Sequence, residues 1–160
     1  MRDSLFSFVS KVRFTHTDPA GFVFFPRYFE MLQAVVEEWF TCALHERYAS
    51  LISQKRLGTP TASIECTFMK PCRLGDDLVI AVTLEHVGKT SFRLRFEGEV
   101  EGDRRLEAIS TLVLIDLDDG RPRPIPSDLR ARMEAYRGVG ENRSLRGPVP
   151  DDVSRRRGHR

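Results

Sequence analysis

The sequence has only three cysteines, Cys42, Cys66 and Cys72. They cannot all pair within one chain, and their spacing matches no metal or redox motif, so a disulfide scaffold and a CxxC oxidoreductase are excluded. The plain reading is three buried thiols acting as small hydrophobic groups. The four histidines are scattered, with no pair at the spacing of metal ligands. No serine stands in a nucleophile elbow, which leaves a Ser/His/Asp triad unsupported. No apolar run approaches the roughly 18 residues that span a bilayer, and there are no internal repeats. The first residues, MRDSLFSFVSKVRF, alternate apolar and polar positions and place charges at Lys11 and Arg13, where a secretory signal would need an unbroken apolar stretch. A cytoplasmic protein with no membrane partner is expected.

Strong charge of one sign is also missing. The 25 lysines and arginines against 23 aspartates and glutamates leave a net of +2. Residues 138–160 hold six arginines against Glu141, Asp151 and Asp152, so that segment carries +3 and the first 137 residues −1. The segment, GVGENRSLRGPVPDDVSRRRGHR, has no aromatic residue and few aliphatic ones. It lacks the apolar surface needed to offset the entropy of ordering it, and it has no aromatic side chains to stack on bases. A basic, disordered tail over 138–160 is expected, with no nucleic acid as partner. The remaining residues, 1–137, suit one domain of ordinary size that buries its own core.

Within those residues the periodicity changes in a definite order. Phe6, Phe8, Val12 and Phe14 recur every second residue and predict a strand. A turn cluster, DPAG, follows. From Pro26, Leu32, Val35, Val36, Trp39, Phe40, Ala43 and Leu44 follow a 3.6-residue period, with Glu30, Gln33, Glu37, Thr41 and His45 on the polar side. This predicts one helix to about Tyr48, about 34 Å long at 1.5 Å per residue. His45 then falls in its last turns, where a histidine complements the dipole. Four more strands are predicted around Ile64–Phe68, Leu78–Leu84, Phe92–Val100 and Leu106–Leu117, the last buried on both faces, with hairpin turns at HVGKTS and EGDRR. SDLRARMEAY predicts a short helical stretch opened by Ser127. A lone amphipathic helix must bury its stripe, and only the sheet is available. The fold class is therefore α+β: a curved antiparallel sheet of about five strands wrapped around one long helix, the hotdog fold. The uncovered edge strand predicts a homodimer that continues the sheet.

The chemistry concentrates in THTDPAGFVFFPRYFEM, residues 15–31. An aspartate before proline is commonly a turn element whose carboxylate bonds nearby backbone amides. Here it lies between a strand end and a helix start and is followed by Phe22, Val23, Phe24 and Phe25, an apolar lining. Amides near Phe25, Arg27 and Tyr28 are expected to lack intrahelical acceptors, and the helix dipole adds positive charge there. A thioester carbonyl set against those amides would be polarised. A nearby carboxylate could attack it or activate a water, with no metal and no cofactor.

This stretch, followed by an amphipathic helix, resembles acyl-CoA thioesterases of the 4-hydroxybenzoyl-CoA thioesterase family, hotdog enzymes that release the acid and coenzyme A. The resemblance extends from residue 5 to about 137. It implies that Asp18 is the catalytic nucleophile or base and that the backbone N–H of Phe25 bonds the thioester carbonyl. Family members often carry Tyr or His at the position of Phe25, so no side-chain role passes to it. The missing His makes the short-chain Tol–Pal branch a poorer match. An aromatic acyl-CoA is implied as substrate, held by Gly21, Phe22 and Phe24, while Trp39 reads as core. The HVGKTS turn resembles the family's coenzyme A turn, which nominates Gly88, Lys89, Thr90 and Ser91. The same residues also read as an ordinary hairpin turn, and Arg121 and Arg123 are weaker candidates. Glu37 and Glu38, at positions where other hotdog enzymes carry a catalytic Glu, read as solvated face. His16, two residues before Asp18, could point the same way from a strand end. A homo-oligomer, dimer or homotetramer, is implied. The alternative is a non-catalytic hotdog module that binds an acyl-CoA or acyl carrier.

Overall fold

The structure, a computed structural model, describes residues 5–144. Strand β1 (Ser7–Lys11) leads through an irregular segment into helix α1 (Pro26–Glu38), a π-helical turn (Trp39–Ala43) and a short helix α2 (Tyr48–Ser53). Strands β2 (Leu57–Gly58), β3 (Thr61–Phe68), β4 (Asp77–Val87), β5 (Ser91–Val100), β6 (Asp103–Val113) and β7 (Ile115–Asp116) follow, then helix α3 (Ser127–Ser144). Five strands form one antiparallel sheet in the order β1-β4-β5-β6-β3, and β2 pairs with β7. Among the described residues no helix is long and apolar enough to cross a membrane.

Alternation decides which face of the sheet is inside. Leu78, Ile80, Val82 and Leu84 of β4, Phe92, Leu94 and Phe96 of β5, and Leu106, Ala108 and Leu112 of β6 are all buried. They meet Tyr28, Met31, Leu32, Val35 and Val36 of α1, so the helix lies in the concavity of the sheet. Each such side chain contributes about 1.5–3 kcal/mol through burial. Trp39 is fully buried and stacks on Phe40, Phe92 and Tyr136, which makes it core. The β5–β6 turn is two residues, Glu101 (φ 51°) and Gly102 (φ 77°), both left-handed as the tight hairpin turn requires.

Several expectations are corrected, beginning with the thiols, of which Cys72 is buried, Cys66 half-buried and Cys42 exposed. Phe14 leaves the strand pattern for a 3₁₀ turn over Phe14–His16 and is 80% exposed. The central helix does not reach Tyr48. The π-helical turn admits an extra residue, with Leu44 N–H donating to Trp39 O at 3.1 Å, and keeps Trp39, Phe40 and Leu44 all in the core. His45, at φ 53°, then reverses the chain instead of closing a helical turn. The buried Glu46 is held there by Lys55 at 2.6 Å and by Arg132 of α3 at 3.2 Å. The LVLI run is not buried on both faces: Leu112 and Leu114 face the core, Val113 and Ile115 are half-exposed, and the strand breaks into β6 and β7. Helix α3 is far longer than the short stretch anticipated and continues past residue 137 to Ser144. Residues 145–160 of the expected tail lie outside the described residues.

The two sheet edges differ. Past the short β1, the edge of β4 is closed by Tyr136 of α3, whose hydroxyl donates to Val82 O and accepts Phe6 N–H at 3.1 Å. Nothing closes β3. Ile64 and Phe68, opposite Ser110 and Leu106 and so on the core-facing side, remain 40% and 41% exposed.

Candidate functional site

Past β1 the chain stays attached to the start of β4, with Val12 N–H donating to Asp76 O at 2.8 Å and Gly75 N–H to Val12 O at 2.9 Å. The 3₁₀ turn is locked by His16, whose Nδ1 accepts Arg13 N–H at 2.9 Å. That bond uses Nδ1 as acceptor and leaves Nε2 as the outer ring nitrogen. Asp18-Pro19-Ala20-Gly21 then reverses the chain, closed by Gly21 N–H to Asp18 O at 3.0 Å. Pro19 presets the first turn position. Gly21 is at φ 82° with open space where a Cβ would sit, so conformation and not crowding selects glycine.

The turn opens a three-row ribbon. Thr17 pairs with Val23 and Phe22 with Arg73 of the β3–β4 connection. Asp18 N–H donates to Phe22 O at 2.8 Å, Phe24 N–H to His16 O at 2.9 Å, and Val23 N–H to Cys72 O at 3.0 Å. Val23 and Cys72 face the core, 8% and 0% exposed. Alternation therefore places Asp18, Phe22 and Arg73 on the opposite face, and the Arg73 guanidinium carbon lies 5.2 Å above the Phe22 ring. The ribbon is tied to α1 by Tyr28, whose hydroxyl accepts Cys72 N–H at 3.1 Å. Burial, with its contact to Cys72, pushes the Tyr28 phenol well above its ordinary value, so it stays a neutral hydrogen-bonding group. Arg105 holds the same connection through Pro71 O at 2.7 Å.

Asp18 is half-buried. Its Oδ1 accepts Ala20 N–H at 2.9 Å and Phe22 N–H at 3.2 Å. The turn role of this carboxylate is therefore present, but it uses one oxygen. Among the described residues Oδ2 has no hydrogen-bond partner, and neither has Phe25 N–H. The expectation for Arg27 and Tyr28 is corrected: their amides donate to Phe24 O at 2.9 Å and Phe25 O at 3.1 Å. The reason is that Phe25 already has helical dihedrals (φ −53°, ψ −35°), so carbonyls ahead of α1 accept its first amides. Phe24 and Phe25 stand 52% and 58% exposed, ring against ring, beside that amide.

Residues 12–133 match the profile of the thioesterase-like superfamily. The chain belongs to this superfamily. It is 26% identical over 126 residues to a 4-hydroxybenzoyl-CoA thioesterase of Pseudomonas sp. (strain CBS-3), covering 74% of this chain and 89% of that one. It is 24% identical over 141 residues to a 1,4-dihydroxy-2-naphthoyl-CoA hydrolase of Nostoc punctiforme, covering 88% and 95%. Among solved structures, a gentisyl-coenzyme A thioesterase superposes with a TM-score of 0.72 at 25% identity, over 81% of this chain and 99% of its own. The resemblance and the hotdog fold expected from the sequence are both met.

Within this thioesterase-like chain the second set of nominated residues lies elsewhere. Gly88, Lys89, Thr90 and Ser91 form the β4–β5 hairpin, at the far end of β4 from Asp77 and about 33 Å along it. One chain does not bring them to Asp18. Their carbonyls are engaged: Thr90 O by Leu114 N–H at 2.8 Å, Lys89 O by Ile125 N–H at 2.9 Å, and Gly88 O by Arg130 at 2.6 Å. The Lys89 side chain is exposed. Arg123 is paired with Asp116 at 2.8 Å, and Arg121 is exposed at the same end. Glu37 and Glu38 close α1 about 18 Å from its start, bonded to Gln33 and Cys42. Arg73 was not named from the sequence, and Cys72 and Tyr28 were named only as a small apolar thiol and a helix-start amide, not for the bond that joins them. The signal was KPCRLGD, an aperiodic break between two strands with an arginine at its centre.

Proposed function

We propose that this protein hydrolyses the thioester of an aromatic acyl-CoA, of the hydroxybenzoyl type, to the free acid and coenzyme A. The observation that carries the reading is the pairing of an Asp18 carboxylate, one oxygen fixed by two amides, with a Phe25 N–H at the start of α1, the other oxygen and that N–H having no partner among the described residues. A carbonyl accepting from Phe25 N–H would have its developing negative charge stabilised by that donor and by the helix dipole. Asp18 Oδ2 then attacks the carbonyl carbon, expelling the thiolate and leaving an anhydride that water cleaves, or it takes a proton from the attacking water. In single-turnover hydrolysis in ¹⁸O-water, label in Asp18 identifies the anhydride route with water attacking the Asp18 carbonyl carbon, because the general-base route labels only the released acid. Phe22, Phe24 and Gly21 would line the acyl side. The relatives named above act on hydroxylated aromatic acyl-CoAs, which supports that class.

The open β3 edge supports a homodimer in which two β3 strands pair antiparallel about a two-fold axis. Thr61 lies at the hairpin end of the sheet and Phe68 at the Asp18 end. Such pairing would carry the partner's hairpin end to the Asp18 end of the first copy, so that Gly88, Lys89, Thr90 and Ser91 of one chain serve coenzyme A phosphates at the site of the other. A tetramer of two such dimers, a cytoplasmic location and a tail without a part in the chemistry complete the proposal.

The test is free-thiol release from a panel of aromatic and aliphatic acyl-CoAs by the parent and by Asp18→Asn. The amide oxygen of Asn can still accept from Ala20 and Phe22, so the turn is retained. Loss of turnover with KM little changed is expected. An Asn variant as active as the parent would remove Asp18 from the mechanism, and binding without turnover by the parent would favour the non-catalytic acyl-CoA module.

A further inference from the structure

The face of the ribbon that carries Asp18 also carries a guanidinium that makes no ion pair among the described residues. Phe22 is the middle row, joined to Asp18 on one side and paired with Arg73 on the other. Rows about 4.8 Å apart place Asp18 and Arg73 about 10 Å from each other. The Arg73 main chain is used, its N–H donating to Asp76 Oδ2 at 2.8 Å. Among the described residues its side chain makes no hydrogen bond and no ion pair, and Arg13 likewise has no ion pair, whereas three other nearby cations are engaged. Lys70 pairs with Asp103 at 2.9 Å, Lys11 with Asp77 at 2.8 Å, and Arg105 bonds Pro71 O at 2.7 Å. The Arg73 guanidinium carbon lies 5.2 Å from the centroid of the Phe22 ring instead. A cation held over a ring face is attracted to it without using its N–H donors, which stay available to an oxygen.

Charge, position and available donors together point to a part of the substrate one ring away from the reacting carbonyl. The coenzyme A phosphates are separated from the sulfur by the whole pantetheine arm, which is longer than this row. A hydroxyl or phenolate on an aromatic acyl group lies within it. We propose that Arg73 determines acyl specificity by donating from its guanidinium to an oxygen substituent on the acyl ring while the thioester lies at Asp18. The inference rests on the thioesterase reading and adds the residue that selects the ring substituent.

The experiment measures kcat/KM for benzoyl-CoA, 4-hydroxybenzoyl-CoA and 4-hydroxybenzoyl-pantetheine in the parent, Arg73→Met, Arg73→Lys and Asp18→Asn. The parent is expected to prefer the hydroxylated ring. Arg73→Met should reduce that preference about tenfold or more, the size of one hydrogen bond to a charged group, with benzoyl-CoA almost unaffected. Arg73→Lys should keep part of the preference, because the cation remains while the fork is lost. Equal losses on both acyl-CoAs would overturn the assignment, leaving Arg73 as a packing residue of the ribbon. A loss seen with 4-hydroxybenzoyl-CoA but not with its pantetheine thioester would overturn it in favour of a phosphate contact. If Asp18→Asn abolishes turnover while Arg73→Met leaves the preference intact, the Arg73 assignment alone fails. If the parent cleaves none of the three, both readings fail together.

Discussion

Strand β4 joins two ends of the molecule that are built differently. At its Val87 end the hairpin turn is secured by backbone and by side chains of α3, with Arg130 on Gly88 O and Lys89 O. At its Asp77 end the ribbon of residues 12–24 and 71–76 is secured mostly by backbone, with side-chain bonds from His16, Thr17, Asp18 Oδ1, Asp76, Tyr28 and Arg105. Among the described residues this leaves Asp18 Oδ2, Phe25 N–H and the Arg73 guanidinium without hydrogen-bond partners. A site needs groups that are held but not consumed, and a backbone ladder holds side chains without using their polar atoms.

The largest effect that would sharpen this contrast is kinetic. Asp18→Asn should lower kcat by about 10²–10⁴-fold, the usual span for loss of a positioned acid or base. Lys89→Ala, at the other end, should leave kcat close to the parent value and raise KM. Equal kcat losses would erase the distinction between the two ends. The next comparison is between two buried tyrosines. Tyr28→Phe leaves Cys72 N–H without its acceptor, and Tyr136→Phe leaves Phe6 N–H and Val82 O without theirs, each at a cost of about 1–3 kcal/mol in denaturant titration. Only Tyr28→Phe should also reduce kcat, because only that bond reaches the ribbon. Gly21→Ala comes next, with about 1–2 kcal/mol of left-handed strain expected in stability and a matching loss of turn geometry in activity.

The smallest effect is seen against pH. Burial pushes the Tyr136 phenol from its ordinary value up to about 12. A group that holds its proton more tightly when folded stabilises fully below its unfolded value, about 10, and loses that contribution as pH rises through the folded value. Stability should therefore decline between about pH 10 and about pH 12, and Tyr136→Phe should flatten part of that decline in alkaline unfolding titrations. Activity at the Asp18 end should not follow Tyr136 below that window.

What the sequence made legible was whatever repeats or punctuates. Alternation in β4 and β5 showed the inner face, and DPAG with the following phenylalanines located the turn and the helix start that carry Asp18 and Phe25. The end of the central helix was hidden because Trp39, Phe40 and Leu44 continue a helical pattern in which a π-helical turn leaves no trace. Helix α3 was underestimated because Gly138 and Gly140 weaken its propensity, whereas Tyr136 and Arg132 anchor it through tertiary contacts with Val82, Leu44 and Glu46. Arg73 was hidden for a different reason. Its relation to Asp18 is a pairing between segments about fifty residues apart, and no local pattern reports such a pairing.

That long separation has a consequence for how the chain folds. The β5–β6 hairpin closes over a two-residue turn and β4–β5 over a short one, so the central meander needs little chain to be gathered in. Non-local pairings form more slowly because loop closure comes before their reward. The ribbon that presents Asp18 waits for the first and third parts of the chain to meet. In refolding, tryptophan fluorescence from Trp39 in the core should recover ahead of catalytic competence, and the lag between them should lengthen in Tyr28→Phe, where the clasp between helix and ribbon is missing.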